Sequence, residues 1–212
     1  VYLGASPEYG KASFFERFER ELSRLKEHYP EALYIGIADG AKHNWTFLEQ
    51  HTERQLLDFF HVTEYLAKVA YAAYPAKTGK PQREVWLQQR CQQLKHTPAA
   101  AAALIAEMQQ LARKTSLSNK VKDDLNAALS YFTNHQHMMD YASQVAQNLP
   151  IGSGVTEAAC KTLVKQRLCA SGMRWKDQGA KLILSLRALV LTKGRWTQFW
   201  DYIDQYGAYA HS

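Results

Sequence analysis

Glu157 is the single acid in a strongly basic stretch. Gly152, Ser153 and Gly154 form a small-residue turn, and a predicted helix follows with Glu157 in its first turn. Lys161 and Lys165 come four and eight residues later, then Arg167, a second small turn at Ser171-Gly172, and Arg174, Trp175 and Lys176. Residues four apart share a helix face, so Glu157, Lys161 and Lys165 lie along nearly one line. A carboxylate held among cations at a helix start suits a place where a metal ion meets a phosphate backbone. The structural alternatives are an acid favoured by the positive end of a helix, with Ser153 as its cap, and a Glu157–Lys161 pair contributing about 0.2–0.5 kcal/mol.

Asp39 is the second acid with chemical promise. It follows the apolar run Ala32-Leu-Tyr-Ile-Gly-Ile-Ala38, which has the composition of a buried parallel strand. Chemistry in α/β sheets is usually placed just past the C-terminal end of such a strand. Taken alone, Asp39-Gly40 reads first as a turn. Mg²⁺ takes oxygen donors and usually only one or two protein carboxylates, so Asp39 and Glu157 are the candidate ligands for Mg²⁺ or Mn²⁺. Lys161, Lys165, Arg167, Arg174 and Lys176 are the candidate phosphate contacts. Asp58 and His61 form a weaker D-x-x-H step, and His61 reads as a structural histidine because no second imidazole sits at ligand spacing. His135 and His137 read as a surface turn. Ser153 lacks a nucleophile elbow, and the Gly152–Gly154 turn lacks the Gly-Lys-Ser/Thr of a phosphate-binding loop. Trp196 and Trp200, four apart, read as core.

The elements that position these residues alternate at first and then become helical. A short strand is expected at 1–4 and an amphipathic helix at 11–27, where Phe14, Phe15, Phe18, Leu22 and Leu25 recur every three or four residues. Strands are expected at 32–38 and 55–60, with a short helix at 45–50. Helices are then expected at 62–73, 83–94, 99–115, 118–132 and 138–146, and finally at 155–168, 175–191 and 196–202. The fold class is therefore α/β and helix-rich: a sheet region interrupted by an all-α insertion ahead of Glu157. The expected parts are 1–62, 63–148 and 149–212.

With 46% hydrophobic and 22% charged residues, the composition is that of an ordinary soluble globular chain and excludes a disordered one. No secretory signal opens the chain, no apolar run reaches membrane-spanning length, and the start at Val1 suggests a piece of a longer protein. Cys91, Cys160 and Cys169 are odd in number and form no C-x-x-C pair, which argues against structural zinc and a disulfide framework and for a reducing cytoplasm. Residues 151–198 carry nine Lys or Arg against Glu157 and Asp177, a net +7 in a chain of total +6, which leaves −1 for the remainder. That asymmetry points to a polyanion bound on one side; a solvated basic surface is the alternative.

The runs GSGVTEAACKTLVKQR and SGMRW, followed by AKLILSLRAL, together resemble the C-terminal signature of bacterial DDE-type insertion-sequence transposases, the ISKra kind in particular. IGIADGAKHNW and LLDFFHVTEYL resemble the upstream blocks of the same family. The likeness spans the chain from Val1 to about Trp200 and is weakest through the helical middle. It implies a partial RNase H-like core with a helical insertion before the last acidic residue. Asp39 would be the second acid of the metal-binding triad and Glu157 the third, with the first expected upstream of Val1. His61 would match a histidine that relatives carry in a Cys-x-x-His step, with Asp58 in place of the Cys. The implied activity is metal-dependent cleavage and transfer of DNA strands, by a homo-oligomer on DNA in a bacterial cytoplasm. A non-catalytic DNA-binding remnant and an RNase H-like nuclease are the alternatives.

Overall fold

A computed structural model describes residues 1, 4, 10–114 and 116–207. In chain order the elements are α1 (Gly10–His28), β1 (Ile35–Ala38), α2 (Lys42–His51), β2 (Arg54–Leu57), α3 (Phe59–Ala73), α4 (Lys80–His96), α5 (Ala100–Ala112), α6 (Asn119–His135), α7 (Tyr141–Ala146), α8 (Gly154–Cys160), α9 (Gln166–Leu168), α10 (Asp177–Leu191) and α11 (Arg195–Tyr206). Short 3₁₀ turns occupy Lys77–Gly79 and Gln136–Met138, and a π turn, Lys161–Lys165, joins α8 to α9. The molecule is helix-rich with a two-stranded parallel sheet among the described residues. The strand expected at 1–4 has its central residues outside the described ones.

The chain forms two compact units, 33–153 and 1–32 with 154–212. Residues 33–62 of the region expected as sheet core thus fall together with the expected insertion, 63–148, in one unit, while residues 1–32 belong to the other. Within this unit β1 and β2 run parallel, with Ile35 opposite Arg54 and Ala38 opposite Leu57. Parallel strands need a crossover, and α2 supplies it. Gly36 is buried, and a Cβ there would lie 3.0 Å from Thr52 Oγ1 and 3.1 Å from Leu48 Cβ. Its lack of a side chain lets the C-terminal part of α2 approach β1 closely. Leu56 and Leu57 join Val62, Leu66 and Val69 of α3, Leu104 and Met108 of α5, Leu125 and Phe132 of α6, and Tyr141 in one apolar core. Burial of these side chains is the main stabilising contribution to the unit. The Tyr141 hydroxyl, fully buried, donates to the Leu57 carbonyl at 2.9 Å.

Three boundaries differ from expectation for identifiable reasons. The strand expected at 55–60 stops at Leu57, because Asp58 accepts the Phe60 N–H at 2.8 Å and caps α3. Phe59 and Phe60 therefore open a helix. The helix expected at 118–132 begins after Ser118, whose side chain caps it, and continues to His135. The helix expected at 155–168 keeps its extent, but its middle widens into the π turn.

In the other unit, Arg195 at the start of α11 donates to Glu21 Oε1 of α1 at 2.6 Å. Leu163 of the π turn and Leu184 and Ala188 of α10 are buried, and α10 packs against that turn. Trp196 and Trp200 do not form core as expected. They are 41% and 46% exposed and meet edge to face, with ring centroids 5.6 Å apart. The stripe they form faces outward, although its spacing is that of a buried face.

Candidate functional site

The parallel register brings two carboxylates to equivalent places. Ala38 and Leu57 are partners, so Asp39 and Asp58 each stand one residue past the C-terminal end of a strand. The Asp58 N–H donates to the Ala38 carbonyl at 2.9 Å. The two acids are nevertheless in different states. Asp39 is exposed; its Oδ1 accepts the Ala41 N–H and the Asn44 Nδ2, both at 3.1 Å. Its Oδ2 takes no hydrogen bond among the described residues. The carboxylate is thus held in place by one oxygen while the other keeps its lone pairs uncommitted among the described residues.

Asp58 is 5% exposed and its acceptor capacity is used internally. Oδ1 takes the Phe60 N–H, and Oδ2 takes the Ser153 N–H at 3.0 Å and the Ser153 hydroxyl. The Phe59 N–H adds a bond to the Ile151 carbonyl at 3.0 Å. Buried charge is tolerated where it is hydrogen-bonded in this way. Asp58 therefore fastens the 151–153 segment to the end of β2. Ser153, expected as the cap of the Glu157 helix, gives its hydroxyl to Asp58 instead.

Near these strand ends Tyr65 and Tyr131, which sequence reasoning passed over, lie with His61 and His135. Tyr65 of α3 stacks on Tyr131 of α6, with centroids 3.9 Å apart and planes 11° apart. His61 sits 6.1 Å and His135 4.8 Å from the Tyr131 ring, centroid to centroid. The His61 Nδ1 also lies 3.6 Å from Glu64 Oε2, and the His135 Nδ1 2.8 Å from the Tyr131 carbonyl. The Tyr131 hydroxyl is buried without a hydrogen-bond partner among the described residues. Burial pushes its pKa well above the usual 10, and Tyr65 and the charges of Asp39 and Asp58 add to the shift. The Gly40 N–H opposes it without reaching hydrogen-bond geometry. The four-residue spacings His61–Tyr65 and Tyr131–His135 were the available signal, since each pair shares a helix face.

Glu157, Lys161 and Lys165 belong to the other unit, where they line one open depression of about 680 Å³ with Gly154, Ala158 and Gln166. Glu157 is exposed, and no ion pair joins it to Lys161 among the described residues. Lys161, Lys165, Arg167, Arg174 and Lys176 are all exposed and form no ion pair or hydrogen bond through their side chains among the described residues. Two other cations of the segment are used internally. Arg195 holds Glu21, and Arg187 donates from Nε to the Leu163 carbonyl at 3.1 Å and from Nη2 to the Thr162 carbonyl. Arg187 was not singled out from the sequence, because nothing local marks a cation that serves a turn 24 residues earlier.

Asp39 and Asp58 are thus brought together within one unit, and Glu157 is gathered with Lys161 and Lys165 within the other. No group of three or more His, Cys, Asp or Glu side chains suited to a metal ion occurs among the described residues. No described helix is long and apolar enough to cross a membrane. No family model, curated protein or solved structure matches the chain.

Proposed function

We propose that the chain is the C-terminal part of a DDE transposase with an RNase H-like catalytic region, cutting and joining DNA strands with divalent cations held in part by Asp39 and Glu157. The observation that carries it is the state of the basic segment. Its five candidate DNA contacts, Lys161, Lys165, Arg167, Arg174 and Lys176, are exposed and unpaired among the described residues, and Lys161 and Lys165 share a depression with an equally unpaired Glu157. Arg187 and Arg195 of the same segment are by contrast used within the fold.

The donor chemistry fits Mg²⁺ or Mn²⁺. Both acids supply hard carboxylate oxygens from exposed positions, and such ions complete their coordination with water and phosphate. When bound, the metal supplies activation of the attacking oxygen and stabilisation of the leaving oxygen at a phosphodiester. The chain's own residues do the rest. Asn44 and the Ala41 N–H fix the Asp39 carboxylate against rotation. Lys161 and Lys165 offset phosphate charge along the helix face that carries Glu157.

The test uses Glu157→Gln and Asp39→Asn in the protein carrying this chain. Mg²⁺-dependent cleavage of labelled element ends is expected to fall by about 10²-fold or more, with DNA affinity nearly unchanged. Retained cleavage, or loss of binding in the Glu157 variant, overturns the catalytic assignment.

A second reading, a DNA-binding remnant without catalysis, is favoured by one fact. All five unpaired cations lie in 154–207 and none needs Asp39 for its placement. Absence of Mg²⁺-dependent cleavage in the unsubstituted protein, while Lys165→Gln weakens DNA binding, would favour it.

A further inference from the structure

We propose that Arg187 is a positioning residue for DNA binding, holding open the π turn that keeps Lys161 and Lys165 in one row with Glu157. This rests on the reading of that helix face as a DNA contact.

An unbroken α-helix turns about 100° per residue, so eight residues carry a side chain about 80° around the axis from its start. Lys165 would then stand toward the edge of the face that carries Glu157. In the protein Glu157, Lys161 and Lys165 line one depression, and the π turn draws that row together. The Gln166 N–H donates to the Lys161 carbonyl five residues back. A turn widened by one residue rotates each side chain less and returns Lys165 toward the starting line.

A widened turn leaves carbonyls without their usual amide donors, and something must satisfy them. Arg187 does so from α10. Its planar guanidinium places Nε on Leu163 O and Nη2 on Thr162 O, two adjacent carbonyls of the turn. This is the fork geometry that arginine has and lysine lacks. Thr162 helps on the other side. Its hydroxyl donates to the Ala158 carbonyl at 2.8 Å and so competes with the backbone amide that would close a regular turn. Arg187 thus spends its donors inside the unit, unlike the five exposed cations, and acts on DNA only through the lysines it aligns.

The test measures binding of the whole chain to mixed-sequence duplex DNA over a range of salt. Variants are Lys165→Gln, Arg187→Met, their combination, and Arg187→Lys. Lys165→Gln is expected to weaken binding and lower the salt slope by about 1. Arg187→Met is expected to do the same, and the double variant to bind within about twofold of the weaker single one. Arg187→Lys preserves charge and stem but not the fork, so it too is expected to bind less tightly. It serves as the folded control where Arg187→Met is destabilised. If Lys165→Gln changes nothing, the helix is not a DNA face and this inference falls with that reading. If Lys165→Gln weakens binding but the losses at Lys165 and Arg187 simply add, the DNA face stands and the positioning role falls. Wild-type affinity in Arg187→Lys also overturns it.

Discussion

Replacing Asp58 by Ala removes the acceptor of three hydrogen bonds at once: those from the Phe60 N–H, the Ser153 N–H and the Ser153 hydroxyl. The cap of α3 is lost and the two half-buried donors of Ser153 are left without their acceptor. Hydrogen bonds to a charged group contribute about 1.5–3 kcal/mol, and loss of an N-cap costs about 0.5–2 kcal/mol. The terms overlap, so Asp58→Ala is expected to destabilise the 33–153 unit by about 2–3 kcal/mol, read by chemical denaturation. Asp39→Asn, at an exposed carboxylate with local partners only, is expected to leave the midpoint nearly unchanged. Equal effects at the two positions would show that Asp58 is not the fastening its contacts describe. Only half of this contrast was legible in the sequence. Asp39 announces itself by following an apolar run and preceding Gly40. The partner of Asp58 lies 95 residues away at Ser153, and no local pattern encodes so distant a bond. The same distance hides the use of Ser153, which by sequence alone is a good cap for the helix it precedes.

Elements were legible where burial is one-sided and continuous. α3 buries Val62, Leu66, Val69 and Ala70, a stripe with helical spacing, and it was foreseen within three residues of its start. The sheet was legible from composition, with its register left to the parallel pairing. What stayed hidden depends on contact between elements, and Gly40 is the clearest case. A Cβ built there would lie 2.7 Å from Tyr131 Cε2, closer than van der Waals contact permits. The ring cannot swing aside freely, because Tyr65 stacks against it at 3.9 Å. In the sequence Gly40 is simply the second half of a turn dipeptide; in the fold it is where the β1–α2 turn meets α6. Gly40→Ala is expected to cost about 1–3 kcal/mol through this overpacking. Thermal unfolding of the single variant, beside Gly40→Ala combined with Tyr131→Leu, checks it. Relief of the loss in the combined variant identifies the ring as the obstacle; no relief assigns the cost to the turn itself.

Across the whole molecule the two units respond to different solution variables. Segment 154–207 carries the five candidate DNA contacts, so its binding to a polyanion is expected to vary with salt. The 33–153 unit carries the buried tyrosines, so its behaviour is governed by alkali. Burial raises the pKa of Tyr141 far above its ordinary 10, with the charges of Tyr131 and Asp58 adding to it, and Tyr131 is shifted in the same direction. Each hydroxyl therefore stays protonated in the folded unit at a pH where the unfolded chain ionises. A raised folded pKa means stability that is complete below pH 10 and lost as pH climbs from there toward the folded value. The unit is expected to unfold in that alkaline range while holding steady between pH 7 and 9, followed by circular dichroism and by the ultraviolet absorbance of tyrosinate. Tyr141→Phe separates this linkage from the hydroxyl's other role. Without the donor to Leu57 O the variant should be weaker at neutral pH by about 1 kcal/mol. It should also lose less stability per unit of pH above 10, because one of the two protected hydroxyls is gone, and Tyr131, only partly buried, supplies the smaller remainder. A Phe variant with the wild-type slope would mean that Tyr141 ionises as easily in the fold as out of it, and that its bond to the end of β2 holds no proton against alkali.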